Sequence, residues 1–376
     1  MEKIDPILIT GAKGFIGKNL SASLKGLGYQ RLLLVDKETP DEMYEHYVKE
    51  AKFIFHLAGI NRPTDPNEYI EGNVDSVSKL INFIQSSRSK APIVVSSSIQ
   101  AIADNPYGKS KLAGEDLLIS FSKLHHHPIY IYRFSNVFGK WSRPNYNSVV
   151  ATFCYNVSRN LPIKINDEHA KVSLIYIDDV VNELIRCLEG EIETIDGILR
   201  VLPEYEITVG QLAKTIQGFA LSRSTLILPN QQNPLHKKLY ATYLSYLDEK
   251  QFSYEIKSHL DQRGSFTELF KTFEQGQISV NVSKPGITKG NHYHNTKNEK
   301  FIVVSGEARI RFRKVGETNI IEYKVSGKTI QVVDIPPGYT HSIVNIGKED
   351  LVTIMWASEI FDPLNPDTYP MEVDIK

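Results

Sequence analysis

The spacing of the apolar residues changes once along this chain, near residue 260, and no single layered architecture serves both halves. Up to about residue 245, short β-branched runs (residues 7–10, 32–36, 53–57, 93–96 and 129–132) alternate with segments of helical spacing. Leu80, Ile81 and Ile84 form one such stripe, and Leu112, Leu117, Leu118 and Phe121 another. Strand and helix alternating at this pitch predict a parallel sheet covered on both faces. Beyond residue 260, runs at 278–283, 301–304, 308–313, 320–325, 330–335 and 351–356 read as strands, with Gly and Pro between them and no long helix. That pattern predicts an all-β barrel or sandwich. Residues 222–259 break the rhythm with Pro229, Asn230, Gln231, Gln232, Asn233 and Pro234, and a helix is expected around 235–247. A chain of 376 residues accommodates two such domains, 1–250 and 251–376.

Charge excludes some partners. Lys plus Arg number 43 against 44 Asp plus Glu, a net charge of −1, so no global field draws nucleic acid or anionic membrane. The apolar runs fall far short of the roughly 20 residues of a spanning helix, and residues 1–5 lack a secretory pattern. Cys154 and Cys187 are too few for a disulfide framework or a four-thiolate metal site. A soluble, cytoplasmic protein without nucleic-acid binding or membrane insertion is expected.

Gly11-Ala12-Lys13-Gly14-Phe15-Ile16-Gly17 follows the first strand and opens a helix. Glycines there permit close backbone approach, so that a pyrophosphate can rest on the helix N-terminus. Asp36 ends the next strand, where a carboxylate can accept from a ribose 2′-hydroxyl and favour NAD(H). Lys13 and Lys37 can instead hold the 2′-phosphate of NADP(H), and residue types leave the choice open. Tyr107 and Lys111 lie four apart on a helix, hence on one face, and a nearby ammonium lowers a phenol's pKa. The preceding strand ends in Ser96-Ser97-Ser98.

These motifs resemble the extended short-chain dehydrogenase/reductase family over residues 6–245, a Rossmann-type domain. The resemblance adds His56-Leu57-Ala58-Gly59, Asn73, Arg133, Asn136-Val137-Phe138-Gly139 and Tyr176-Ile177-Asp178-Asp179-Val180. It implies Ser98, Tyr107 and Lys111 as the catalytic set. Nine positions separate Ser98 from Tyr107, fewer than in most members, which leaves open which serine of 96–98 acts. Implied at the cofactor are Gly11, Lys13, Gly14, Phe15, Ile16, Gly17, Asp36, Lys37, Leu57, Ala58, Asn73, Tyr107 and Lys111. Arg133 and Asn136 are implied at the substrate.

In the second half, His292 and His294 are two apart, so on a strand both imidazoles face one way. Glu299 follows across a turn, and His341 can arrive from a neighbouring strand. Three imidazoles and a carboxylate suit Zn²⁺ or another divalent first-row metal, mainly structural because four ligands close a tetrahedral site. His125-His126-His127, before Pro128, reads as a solvated loop. The residues resemble the cupin (jelly-roll) family over 260–360, with Ile330 where its second motif has glycine. A narrower resemblance, at 261–268 and 285–292, is to nucleotide-sugar 3,5-epimerases. It implies Arg263, Glu268 and Lys289 at the substrate and His292 as the base, although His292 cannot be base and metal ligand at once. Tyr293, Lys289 and Tyr339 stand as candidate acids.

One 4-keto sugar would serve both halves, since a reductase needs a carbonyl and an epimerase needs a proton made acidic by one. The whole chain resembles bifunctional capsular polysaccharide enzymes, a reductase followed by a cupin, including the strings at 105–108, 144–149 and 297–301. The resemblance implies C3 epimerisation of a UDP-2-acetamido-2,6-dideoxy-4-hexulose in the cupin. NADPH-dependent C4 reduction to UDP-N-acetyl-6-deoxy-L-talosamine would follow, on the path to UDP-N-acetyl-L-fucosamine, in a homodimer. The alternatives are an NAD-dependent nucleotide-sugar 4-epimerase or dehydratase, or a simple ketosugar reductase, each with a non-catalytic sugar-binding or dimerising cupin.

Overall fold

The computed structural model describes residues 1–192 and 197–375, and the chain separates into two compact units. The first comprises Met1–Gln217 and Pro234–Asp248; the second comprises Gly218–Asn233 and everything from Glu249 onward. The chain therefore passes between units three times. Among the described residues no helix is long and apolar enough to cross a membrane.

Among the described residues the first unit has nine strands: β1 Ile7–Thr10, β2 Leu32–Val35, β3 Phe53–His56, β4 Ile93–Ser98, β5 Ile129–Phe134, β6 Asn136–Phe138, β7 Lys171–Tyr176, β8 Ile198–Leu199 and β9 Tyr205–Thr208. The main sheet has the order β2-β1-β3-β4-β5-β8, every pair parallel. A small sheet, β6-β7-β9, stands apart from it. On β1, Ile7 and Ile9 join one apolar cluster with Leu20 and Leu24 of helix Phe15–Gly26 and Val180 and Leu184 of helix Ile177–Leu188. Leu8, between them, joins the opposite cluster with Val77, Leu80 and Ile84 of helix Ser76–Ser87. Both faces of β1 and β3 are buried, which is why these central strands read as unbroken apolar runs, whereas on the outer β2 Leu34 is exposed. Each buried apolar side chain contributes about 1.5–3 kcal/mol.

Helix Pro106–His125 departs from the expected stripe. Leu118 and Phe121 are buried, but Leu112 and Leu117 are exposed, and the buried face is completed by Gly108, Ser110, Gly114 and Glu115. A Cβ on Gly108 would lie 2.2 Å from the Gln100 carbonyl oxygen, and one on Gly114 2.7 Å from that of Asn73. Small residues, rather than an apolar stripe, bring this helix against the turn at Ile99–Ile102 and against the start of helix Ser76–Ser87. The expectation for the three histidines also needs correction at one position. His127 is buried, its Nε2 2.9 Å from the Ala91 carbonyl oxygen, because the chain turns inward after His126 ends the helix in a left-handed conformation.

The second unit holds eleven strands: β10 Ser258–Asp261, β11 Gly264–Thr272, β12 Gly276–Ser283, β13 Thr288–Tyr293, β14 Glu299–Ser305, β15 Glu307–Lys314, β16 Ile320–Ser326, β17 Val332–Ile335, β18 Tyr339–Asn345, β19 Leu351–Ala357 and β20 Tyr369–Pro370. They form two antiparallel sheets, β10-β11-β12-β19-β14-β17 and β16-β15-β18-β13-β20. Residues 226–228 add to β11 through backbone bonds of 2.8 Å in both directions with Lys271. Phe301, Val303, Ile310, Phe312, Ile335 and Ile343 fill part of the interior. On β12, however, the buried positions are Gln277, Ser279, Asn281 and Ser283, while Ile278 between them is exposed. A strand that turns polar side chains inward lines a space meant for something other than hydrocarbon.

Candidate functional site

The nucleotide end of the first unit is made by what the glycine loop omits. Gly14 caps helix Phe15–Gly26 with no side-chain hydrogen bond, and the first turn carries no acid. The leading N–H groups and the positive end of the helix are thus unclaimed, which fits a pyrophosphate. Gly11 has φ +66°, and a Cβ there would lie 2.8 Å from the Ala58 nitrogen; on Gly17 it would meet the Gly11 oxygen at 2.4 Å. Gly11, Lys13, Gly14, Phe15, Ile16, Gly17, Leu57, Asn73, Ser98, Tyr107, Lys111 and Asn136 all line one cleft of about 500 Å³. Asp36, Lys37, Ala58 and Arg133 do not. Lys13 Nζ lies 2.7 Å from both Asp36 Oδ2 and Glu38 Oε2, and hydrogen bonding to these two carboxylates holds its ammonium above the usual lysine range.

Strand alternation separates the three serines. Ser97, also on the cleft wall, commits its hydroxyl to Glu115, a side chain 2 % exposed. Ser98, on the opposite face of the strand, lies at Tyr107 and favours its phenolate. Ser96 supplies its carbonyl oxygen, 2.8 Å from Lys111 Nζ. The spacing argument expected the lysine to lower the Tyr107 pKa. Instead burial outweighs Ser98 and raises it, because the phenol is enclosed, with the Tyr69 ring tilted against it at 5.8 Å. Burial also lowers Lys111, to about 8, against the opposing field of Glu115. Asn73 sits in a π-turn, Glu71–Asp75, of the kind found at functional sites. Its amide accepts from the Ile60 nitrogen and donates to the Ile60 oxygen and to Ser110, fixing the loop after β3.

Arg133, expected at the substrate, is committed elsewhere. Its Nε lies 3.0 Å from Glu115 Oε1 and its Nη2 2.6 Å from Oε2, a bidentate pair. A buried carboxylate is costly unless paired, and this pairing takes the arginine off the cleft wall. Sequence reasoning missed Glu115, Tyr69 and a cleft segment comprising Trp141, Arg143 and Tyr146. The Arg143 guanidinium lies 5.1 Å from the Tyr146 ring centre. The run Trp141-Ser142-Arg143-Pro144-Asn145-Tyr146, aromatic and basic after a glycine, was the available signal.

In the second unit His292 pairs with His341 across β13 and β18, His294 follows β13, and Glu299 opens β14 in the other sheet. Their ligand atoms all lie within 4.8 Å of one another. His294 Nε2, Glu299 Oε2 and both ring nitrogens of His341 are buried without a hydrogen-bond partner. Such orphaned atoms facing one point fit a divalent cation, whose bonds would satisfy them. Burial and the neighbouring imidazoles of His341 and His294 push His292 down to about 4. Burial alone would raise Glu299, but His294 and His341, 3.5 and 3.6 Å away, hold it well below the usual carboxylate range.

A second cavity of the same unit, about 310 Å³, is lined by Arg263, Lys289, Asp261, Phe266 and Asn281 among others. Lys289 Nζ donates to Asn281 Oδ1 at 2.6 Å, and burial lowers its pKa. Glu268 is not on this wall; it pairs with Lys271 at 2.8 Å. Of the three candidate acids, Lys289 lines the cavity, whereas Tyr293 stacks on Tyr369 and Tyr339 packs on the apolar core.

Comparison with known proteins bears on both units. Residues 7–195 match the NAD dependent epimerase/dehydratase family, and residues 259–369 match the Polysaccharide biosynthesis C-terminal domain. The UDP-2-acetamido-2,6-beta-L-arabino-hexul-4-ose reductase of Pseudomonas aeruginosa is 43% identical over 367 residues, covering 98% of each chain. The crystal structure of the capsular polysaccharide assembling protein CapF from Staphylococcus aureus matches with a TM-score of 0.92 and 50% identity, over 98% of this chain and 100% of that one. The chain belongs to the CapF family of nucleotide-sugar reductases. Bordetella bronchiseptica WbmF in complex with NAD+ and UDP shares the fold of part of it, at TM-score 0.55 and 21% identity over 64% of this chain and 92% of that one.

The family assignment leaves Glu115 with a structural role that can be measured. Glu115→Ala strands Arg133 without its partner and should destabilise the first unit by about 3–5 kcal/mol, read by chemical denaturation. A loss below 1 kcal/mol would show that the pair is not a tie.

Proposed function

We propose that this chain is a bifunctional enzyme acting on a UDP-2-acetamido-2,6-dideoxy-4-hexulose, with a reductase in residues 1–250 and a cupin epimerase in residues 251–376. The reading is carried by one observation: each unit has its own built site, a cleft with Ser98, Tyr107 and Lys111 and a β interior with a four-residue metal cluster. In the reductase, bound NADPH supplies the hydride for C4. Ser98 donates to the carbonyl oxygen at C4, and Tyr107 delivers the proton that the developing alkoxide requires. Its raised pKa serves this direction, because the phenol stays protonated at neutral pH. Lys111 holds the nicotinamide ribose and its positive charge faces the forming oxyanion. The product is UDP-N-acetyl-6-deoxy-L-talosamine.

In the cupin, His292, His294, Glu299 and His341 would hold Zn²⁺ or a similar ion, mainly as a structural centre because four ligands close a tetrahedral site. Arg263 binds the diphosphate; a base removes the C3 proton to leave an enolate, and Lys289, on the cavity wall with its pKa lowered by burial, is the favoured acid that returns a proton to the opposite face of C3. The supporting relatives are a reductase of a 4-hexulose and a capsule-assembling protein. A homodimer in the cytoplasm is part of the same proposal.

Three measurements test it. In D₂O with the 4-keto sugar, NMR should show deuterium entering C3 without cofactor and a reduced sugar only with NADPH. Tyr107→Phe should abolish reduction and spare the exchange; reduction with no deuterium at C3 would leave a ketosugar reductase with a sugar-binding cupin.

Burial favours the neutral amine of Lys111, so its charge is present below about pH 8 and lost above it. The kcat/KM for reduction should therefore fall as pH rises through that value, and Lys111→Arg, which stays charged, should remove the fall. A profile flat to pH 9.5 in the wild type would refute the role.

NADPH selectivity rests on Lys13 and Lys37 facing a 2′-phosphate, for which Asp36 and Glu38 now compete. Glu38→Gln should lower the KM for NADPH several-fold relative to NADH. An unchanged ratio would argue that Lys13 does not meet the phosphate.

A further inference from the structure

The segment after residue 361 contributes no metal-ligating side chain, yet it is fastened along one edge of the histidine cluster. β20 pairs with β13 at His292 and Tyr293. Met371 N–H donates to the Asn291 oxygen, and Arg313 donates to the carbonyl oxygens of Glu372 and Val373. Val373 is fully buried. At the centre of this strap is Asp367, whose φ of +36° is one that a non-glycine residue rarely adopts.

Two groups of Asp367 explain why that conformation is held. Its carboxylate accepts from three successive backbone N–H groups, those of Asn295 at 3.0 Å, Thr296 at 2.9 Å and Lys297 at 2.7 Å, and from the Thr296 hydroxyl at 3.0 Å. Its carbonyl oxygen lies 2.6 Å from His294 Nδ1. A carbonyl only accepts, so Nδ1 must carry the proton. The lone pair is then on Nε2, the atom that is buried without a partner and faces Glu299 Oε2 at 3.5 Å. Lys297 adds a second clasp, its Nζ donating to the Pro366 oxygen and to Thr368 Oγ1, each at 2.8 Å.

We propose that Asp367 is a positioning residue of the metal centre: its carboxylate locks the turn at 295–297, and its carbonyl fixes the tautomer and orientation of His294. The inference rests on the reading of His292, His294, Glu299 and His341 as a divalent metal site. An imidazole with a fixed tautomer and a committed second nitrogen is a stronger ligand, and loss of such a partner lowers metal affinity about 10–100-fold. His341 has no corresponding partner, since both its nitrogens are free. The strap thus gives His294 an orienting partner that His341 lacks.

The test uses the full chain and Zn²⁺ alone. Affinity is measured by competition with a chromophoric chelator, and thermal unfolding is followed with Zn²⁺ and after EDTA. Asp367→Ala should bind Zn²⁺ about 10–100-fold more weakly, and the gap in Tm between loaded and stripped protein should shrink. A merely structural role would lower both Tm values alike and leave affinity unchanged, which would overturn the proposal. Should Asp367→Ala fail to fold, Asp367→Asn carries the test. It keeps the shape but turns an amide donor toward the backbone N–H groups, and a smaller loss of affinity is expected, an unchanged one being the overturning result. Wild-type protein that takes up no Zn²⁺ would refute the metal reading itself, a failure distinct from that of Asp367.

Discussion

The reductase face depends on a carboxylate that never touches it. Glu115 lies one helical turn beyond Lys111, is almost wholly enclosed, and accepts from Ser97 on β4 and Arg133 on β5. One side chain thereby ties the helix of Tyr107 to two adjacent strands. Because a buried carboxylate tolerates no vacancy among its donors, the three elements can settle in one register only. That register sets the Ser96 carbonyl at Lys111 and Ser98 at Tyr107, and turns the Ser97 hydroxyl to Glu115. The negative charge of Glu115 also opposes the desolvation of Lys111. The mechanism proposed above requires that lysine to be charged.

Much of the first unit could be read from the chain, since strands buried on both faces declare themselves as apolar runs. The runs at 7–10 and 129–132 correspond to β1 and to most of β5. What failed was the reading of helix Pro106–His125, where close approach is achieved by glycines and serine that carry no periodic signal. The same helix hid Glu115, because one acid within a charged surface sequence looks like any other. Arg133 was misplaced for a related reason: a motif gives a residue's address, but its partner is decided by the nearest buried charge. The raised pKa of Tyr107 was likewise out of reach, as spacing reports neighbours and not enclosure.

The second unit was legible in its strands and in its histidine–carboxylate cluster, and less so in its interior. His292, His294, Glu299 and His341 converge as their spacing implied. On β12 the alternation is inverted, with apolar Ile278 outward and polar Asn281 inward, and a sequence alone cannot say which face is the inside. A Cβ on Gly327 would lie 2.5 Å from the Val304 oxygen, whereas Ile330 is exposed and unconstrained. Asp367 had no signature, since its role depends on contacts made some 70 positions away along the chain.

The interleaved path between the units bears on how such a fusion can change over time. Pro234–Asp248 belongs to the first unit although Gly218–Asn233, which precedes it, belongs to the second and bonds to β11. A single crossover in the coding sequence therefore cannot exchange one half for a foreign module. A cut at 217 strips the first unit of a helix, and a cut at 248 strips the second of its added segment. Recombination would have to replace both stretches together. The two units are in that sense stitched rather than joined, and lineages carrying this architecture should diversify by substitution within the pair more readily than by shuffling its parts.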